Sequence, residues 1–292
     1  MVITGAGGQV GRYLAGSAAR AGYQVCALSH RDFDITDPEA ARRRVGGGDL
    51  VVNCAAFTNV DAAESDPATA HAVNAVGPDN LARACAAAGA RLIHLSTDYV
   101  FSGVFSGDLH RPYDISDPTG PLNVYGRSKL DGELAVHAAL PDAQVVRTSW
   151  VYTGGSGTDF VAIMRRLAAT DRTVDMVADQ IGSPTYTGDL VDALLQIATG
   201  AVTAPLLHAA NAGSASRFDQ ARAVFTLLGA DPDRVRPVST AAAARPARRP
   251  VFSALSMAGS ARAGLTPLRP WRDALRAALA VPVADGPIAS SP

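Results

Sequence analysis

Tyr125 and Lys129 stand four residues apart in the run Asn123-Val124-Tyr125-Gly126-Arg127-Ser128-Lys129. On a helix, that spacing puts both side chains on one face, one turn apart. A phenol beside an ammonium is a device for delivering a proton. The free phenol titrates near pH ~10, and a neighbouring cation draws that value toward working pH, where a general acid acts best. The pair alone is a weak pattern, and by itself it fits a half-buried tyrosine with a solvated lysine better. Its company decides between the two readings.

Gly5, Gly8 and Gly11 recur at every third position of Thr4-Gly5-Ala6-Gly7-Gly8-Gln9-Val10-Gly11. Small residues between a strand and a helix allow a tight turn, close approach of a pyrophosphate, and tight helix–strand packing. The helix start then offers free N–H groups and partial positive charge to the phosphates. After the second strand comes Ser29-His30-Arg31. No carboxylate stands where it would accept from a ribose, and Arg31 is suited to a 2′-phosphate, so NADPH is expected ahead of NADH. Asp34, in Asp34-Ile35-Thr36-Asp37, is placed to approach the adenine or to open the helix that Asp37 caps. In Asn53-Cys54-Ala55-Ala56-Phe57-Thr58, small residues after a strand let a dinucleotide lie against the backbone. Asp61 and Glu64, just beyond, suit the positive end of a helix.

Leu95-Ser96-Thr97-Asp98-Tyr99-Val100-Phe101 ends the fourth strand, and its hydroxyls are placed to orient a substrate carbonyl. Together these residues make a hydride-transfer site. The glycines hold the dinucleotide and Thr97 orients a carbonyl oxygen. Tyr125 protonates that oxygen, while Lys129 tunes Tyr125 and touches the nicotinamide ribose.

The elements that must carry these residues alternate along the first half of the chain. Strands are expected at 2–4, 24–28, 50–54, 91–96 and 144–150, with helices at 11–21, 38–44, 68–88 and 124–138. This is the pattern of right-handed βαβ units in a Rossmann-like, doubly wound parallel sheet. Residues 1–150 read as the dinucleotide-binding domain, with returning segments from about 178–215. Residues 151–280 read mainly as a smaller α/β substrate domain, with helices at 158–169, 188–198 and 216–228 and strands at 173–177 and 206–210. The Pro/Gly/Ser-rich tail 281–292 reads as disordered.

A net charge of −1 gives no reason to expect nucleic acid or an anionic membrane as partner. Cys26, Cys54 and Cys85 sit in apolar contexts without metal-ligand spacing, and read as reduced and buried. No apolar run reaches a membrane-spanning length and no leader pattern is present, so a cytoplasmic protein, monomeric or homodimeric, is expected.

The glycine loop, Asn53-x-Ala55-Ala56, the Ser96–Phe101 run and Tyr125-x-x-x-Lys129 resemble the extended short-chain dehydrogenase/reductase superfamily. Within it the chain is similar to the dTDP-4-dehydrorhamnose reductase family. That narrower likeness rests on Gly8-Gln9-Val10-Gly11, Pro121-Leu122-Asn123-Val124-Tyr125-Gly126, Arg147-Thr148-Ser149-Trp150-Val151-Tyr152, Asp179-Gln180-x-Gly182-x-Pro184-Thr185 and Arg249-Pro250-x-x-Ser253-x-Leu255. The resemblance implies reduction of the C4 keto group of dTDP-4-dehydro-L-rhamnose, the last step toward dTDP-L-rhamnose. It makes Thr97, Tyr125 and Lys129 catalytic. Asp98, Tyr99 and Trp150 would then contact the sugar nucleotide, with Trp150 an apolar platform for the deoxysugar's methyl face. Arg249 would pair with the diphosphate. Gly8, Gln9, Val10, Asp34, Ile35, Ala55, Ala56 and Phe57 would line the cofactor. Some members bind magnesium through a glutamate just after the glycine loop; here that region reads Gly11-Arg12-Tyr13-Leu14, so magnesium is not expected.

An epimerase or dehydratase of the same superfamily is the nearest rival. Dehydratases carry an acidic pair after the threonine, whereas Thr97 is followed by Asp98-Tyr99. A non-catalytic subunit, like the methionine adenosyltransferase partner that resembles these reductases, would have no need of Thr97, Tyr125 and Lys129.

Overall fold

The computed structural model describes residues 1–103, 111–155 and 157–281. Strands β1 (Val2–Thr4), β2 (Cys26–Leu28), β3 (Leu50–Asn53), β4 (Arg91–Thr97) and β5 (Gln144–Thr148) form a parallel sheet in the order β2-β1-β3-β4-β5. Leu206–His208 adds a sixth parallel strand beside β5. Every residue of β3 and β5 is buried, as a sheet covered on both faces requires. Neighbouring residues on each strand divide between two cores. Ile3, Val52, Ile93 and Val146 face one side, and Val2, Val51, Leu92 and Val145 face the other.

Helices α1 (Gln9–Arg20), α2 (Pro38–Arg44), α3 (Val60–Ser65), α4 (Pro67–His71), α5 (Gly77–Ala88) and α6 (Val124–Ala139) follow in chain order. The single helix expected over 68–88 is in fact α4 and α5 joined by a π-turn, Ala72–Val76. That turn presents the Asn74 amide to the Phe57 backbone, accepting from its N–H at 2.8 Å and donating to its carbonyl at 3.0 Å. Polar residues fix the start of α6. Asn123 accepts from the Gly126 N–H at 2.7 Å, and Glu64 of α3 accepts from the Val124 N–H at 2.9 Å. The N-terminus of the catalytic-motif helix is thus aimed both by its own cap and by α3.

Beyond β5 come α7 (Phe160–Ala168), α8 (Thr187–Ala198), α9 (Arg217–Leu227), α10 (Ala258–Arg262) and α11 (Trp271–Ala280). α8 returns to the first core through Leu190 and Leu194. A separate core joins α7, α9 and α11 through Met164, Phe225, Trp271 and Leu275. α11 was not expected from the sequence, although Trp271, Ala274, Leu275, Ala278 and Leu279 bury one helical stripe. Among the described residues, no helix is long and apolar enough to cross a membrane. The tail expected to be disordered lies, beyond Val281, outside the described residues.

Candidate active site

The chain reverses its direction across the sheet between β1 and β3, and ligands of open α/β sheets bind at such a point, outside the carboxyl strand ends. A cleft of about 800 Å³ opens there. It runs from Gly5, Gly8 and Asp34 past Ala55 and Phe57 to Thr97, Tyr125 and Trp150.

Gly5 holds φ +66°, and a Cβ on it would strike the Ala55 backbone. A Cβ on Gly11 would strike the Gly5 carbonyl. Both glycines are demanded by packing of the loop against β3 and α1. At the N-terminus of α1, Gly8 brings no capping side chain and the first turn holds no acid. Among the described residues, no side chain caps its leading N–H groups, and Gly8, Gln9 and Val10 line the cleft there. This fits a pyrophosphate.

Ile35 and Asp34 line the same wall, where the Asp34 carboxylate accepts from the Thr36 N–H at 2.9 Å and its hydroxyl at 2.8 Å. These bonds hold Asp34 below the ordinary carboxylate range, backbone bond first. Arg31 is exposed, and among the described residues lining the cleft its neighbour His30 appears instead.

Tyr125 and Lys129 share one face of α6 with a third member, Glu133, at the next turn. The sequence reading missed Glu133, although the same i, i+4 spacing leads to it. Lys129 is 2% exposed, and its ammonium donates to the Leu95 carbonyl at 2.7 Å. His94 Nε2 lies 3.5 Å from the same nitrogen. The Asn53 amide oxygen takes the Thr4 hydroxyl at 2.6 Å and the Ala55 N–H at 3.1 Å, which leaves its NH₂ to donate to His94 Nδ1 at 3.0 Å. That network assigns the neutral ring's proton to Nε2, facing Lys129. Burial, then Lys129, keeps His94 well below its ordinary pKa. Burial also lowers Lys129 to about 8, against the pull of Glu133 and Cys54.

The Tyr125 phenol moves in the direction opposite to that expected from the spacing. Burial pushes it up, the Thr97 hydroxyl opposes, and Asp98 and Tyr99 reinforce the rise. The lysine's charge is engaged by Leu95, and the dry wall around the phenol dominates. The phenol consequently keeps its proton at neutral pH. Tyr99 packs edge-on against it, with ring centroids 5.7 Å apart at 75°.

Thr97 is 7% exposed, donates to Asp98 at 3.1 Å and accepts from the Tyr99 N–H at 3.2 Å. Asp98 also accepts from Ser253 at 2.5 Å, and burial raises it to about 6. Trp150 lines the cleft with φ +46°, the one non-glycine residue with positive φ among those described. Arg249 is engaged within the protein. It grips Asp61 through two bonds, at 2.5 and 2.7 Å, and this pairing holds Asp61 at about 2. Of the cysteines only Cys85 is fully buried; Cys54 lines the cleft, its thiol pushed up to about 12 by burial. Among the described residues no cluster of His, Cys, Asp or Glu could hold a metal ion.

The Lys129 shift predicts a measurable linkage. Below pH ~8 the lysine is charged in both folded and unfolded chains, and the cost of burying it is fully present. Between about 8 and 10.5 only the unfolded chain holds that proton, so stability rises with pH through this window. Lys129→Met lacks this rise. The melting temperature of Lys129→Met minus that of the parent should therefore fall between pH 8 and 10. A difference that stays flat over that range would remove the buried ammonium from the stability balance.

The fold is Rossmann-like, and the chain is an oxidoreductase by the similarities it carries. The family model for the RmlD substrate binding domain matches residues 1–282, and the chain belongs to that family. A dTDP-4-dehydrorhamnose reductase of Mycolicibacterium smegmatis is 62% identical over 295 residues, covering 100% of this chain and 89% of that one. The crystal structure of a dTDP-4-dehydrorhamnose reductase from Clostridium acetobutylicum matches with a TM-score of 0.88 and 34% identity, covering 95% and 97% of the two chains. That from Bacillus anthracis, in complex with NADP, matches with a TM-score of 0.87 and 34% identity over 94% and 96%.

Proposed function

We propose that this chain reduces the C4 keto group of dTDP-4-dehydro-L-rhamnose to give dTDP-L-rhamnose, with NADPH as reductant. One observation carries the reading. Tyr125, Thr97 and Lys129 meet at one end of a cleft whose other end is the glycine loop. NADPH supplies the hydride when bound. The uncapped start of α1 receives its diphosphate, and Gly5, Gly8, Gln9, Val10, Gly11, Asp34, Ile35, Ala55, Ala56 and Phe57 line its path, with Arg31 toward the 2′-phosphate.

Thr97 holds the substrate carbonyl in place and Tyr125 gives its proton to the developing alkoxide. Lys129 holds the ribose and offsets the phenolate left behind. Asp98, Tyr99 and Trp150 face the sugar nucleotide. On this division, residues 1–150 with Leu206–His208 serve the dinucleotide, and the segment from 151 to 280 shapes the sugar side. A cytoplasmic monomer or homodimer is the setting assumed.

The test is purified protein, NADPH and dTDP-4-dehydro-L-rhamnose, followed by loss of the nicotinamide absorbance and by identification of the sugar product. Expected is dTDP-L-rhamnose formed in step with NADPH consumed, and more slowly with NADH. Tight NADPH binding without oxidation by any 4-keto sugar nucleotide would overturn the reading in favour of a binding subunit.

A further inference from the structure

Arg217 is the first residue of α9, in a position fixed by a capping box between Ser216 and Asp219. Its guanidinium stacks 3.6 Å from the centroid of the Trp150 ring and 4.8 Å from that of Phe160. It lines the same cleft as Thr97 and Tyr125. Its polar partner is the Gln220 side-chain oxygen at 3.2 Å. Among the described residues, the ion pairs include none to Arg217, while Arg245 and Arg249 converge on Asp61. Burial lowers Arg217 first, Tyr99 and Asp98 oppose that, and Arg245 and Arg249 add to it as like charges. Around Arg217 three guanidiniums thus meet two carboxylates, Asp61 and Asp98, and Arg249 already spends its fork on Asp61.

A desolvated cation with no carboxylate at ion-pair distance is costly unless a ligand completes it. A guanidinium offers only donors, in a planar fork that matches phosphate oxygens bidentately. Stacking on an aromatic face holds that fork in a fixed plane and favours the charge. We propose that Arg217, held flat against Trp150, binds the diphosphate of the nucleotide sugar. This rests on the nucleotide-sugar reading above and names the residue that recognises its anion. Trp150 then acts through Arg217, as a positioning residue for the anion site. Arg249 stays paired with Asp61.

Binding of thymidine diphosphate and thymidine monophosphate, measured calorimetrically on the protein loaded with NADPH, tests this without turnover. The parent is expected to prefer the diphosphate. Arg217→Gln should weaken diphosphate binding roughly 10- to 100-fold, the scale of charge-assisted bonds lost, and should narrow its preference over the monophosphate. Arg217→Lys keeps the charge without the fork and should recover only part of the loss. NADPH affinity, unchanged in both variants, certifies the fold. Parent-like diphosphate binding in Arg217→Gln would overturn the assignment of Arg217 alone. A parent that binds neither nucleotide would overturn the nucleotide-sugar reading itself, and this assignment with it.

Discussion

Tyr125→Phe should still bind NADPH and should turn over about 10²- to 10⁴-fold more slowly, the usual worth of one positioned proton donor. The substitution deletes one oxygen and little else. The phenylalanine ring keeps the edge-on contact with Tyr99, and the N-terminus of α6 is held by Asn123 and Glu64, which the change does not touch. Lys129 keeps its bond to the Leu95 carbonyl, so the cofactor side of the helix is preserved. Burial holds the phenol above its ordinary value, so the parent enters each cycle with the proton in place. Tyr99 is also held high by its surroundings, burial first, and its ring meets Tyr125 edge-on, but it sits in the turn after β4 and is not aimed by α6. The measurement is kcat under saturating NADPH and sugar nucleotide, beside the NADPH dissociation constant. A kcat within tenfold of the parent would take Tyr125 out of the proton transfer.

Much of this site was legible because its signals are local. Three glycines between a strand and a helix, and a tyrosine four residues from a lysine, carry their geometry in their spacing. What spacing cannot report is pairing across the chain. The π-turn at Ala72–Val76 exists because Asn74 reaches the Phe57 backbone, a contact between elements that no helical period encodes. Gly132 has no turn to make; a Cβ there would strike the Asn74 carbonyl, so its absence lets α6 lie close to that turn. Arg217 carries no spacing signal of its own, and only the placement of α9 lays it on Trp150. The Tyr125 shift was read with the wrong sign for a related reason. Proximity of the lysine is a sequence fact, whereas burial of the phenol depends on the whole cleft.

Glu133 is the strongest case of such a hidden partner, and its replacement is the second large effect expected. It sits on the α6 face that carries Tyr125 and Lys129, and bonds Arg147 of β5 at 2.7 and 2.9 Å and the Ser96 hydroxyl of β4 at 2.5 Å. Ser96 and Arg147 are register partners on adjacent strands, so one carboxylate clamps the helix to both. Both charged side chains of the ion pair are 4% exposed. Removing one member of such a pair leaves a buried charge uncompensated, at a cost of about 3–5 kcal/mol. Arg147 has little to fall back on, since its Nη1 already lacks a partner among the described residues. Glu133→Ala should therefore melt on the order of 10 °C lower, taking roughly 2–4 °C per kcal/mol for a chain of this size class. Glu133→Gln keeps an oxygen for Ser96 and should lose less stability. Both variants lose the negative charge that favours the Lys129 ammonium, so the lysine, at about 8 in the parent, should titrate lower still. If activity needs Lys129 charged, the alkaline fall in kcat/KM moves to lower pH in both variants, even where the glutamine variant is well folded. Calorimetry and a pH–rate profile on the two variants separate the roles. An unchanged alkaline limb in Glu133→Gln would leave Glu133 as a structural clamp with no hold on Lys129, and a melting point within 2 °C of the parent in Glu133→Ala would deny it the clamp as well.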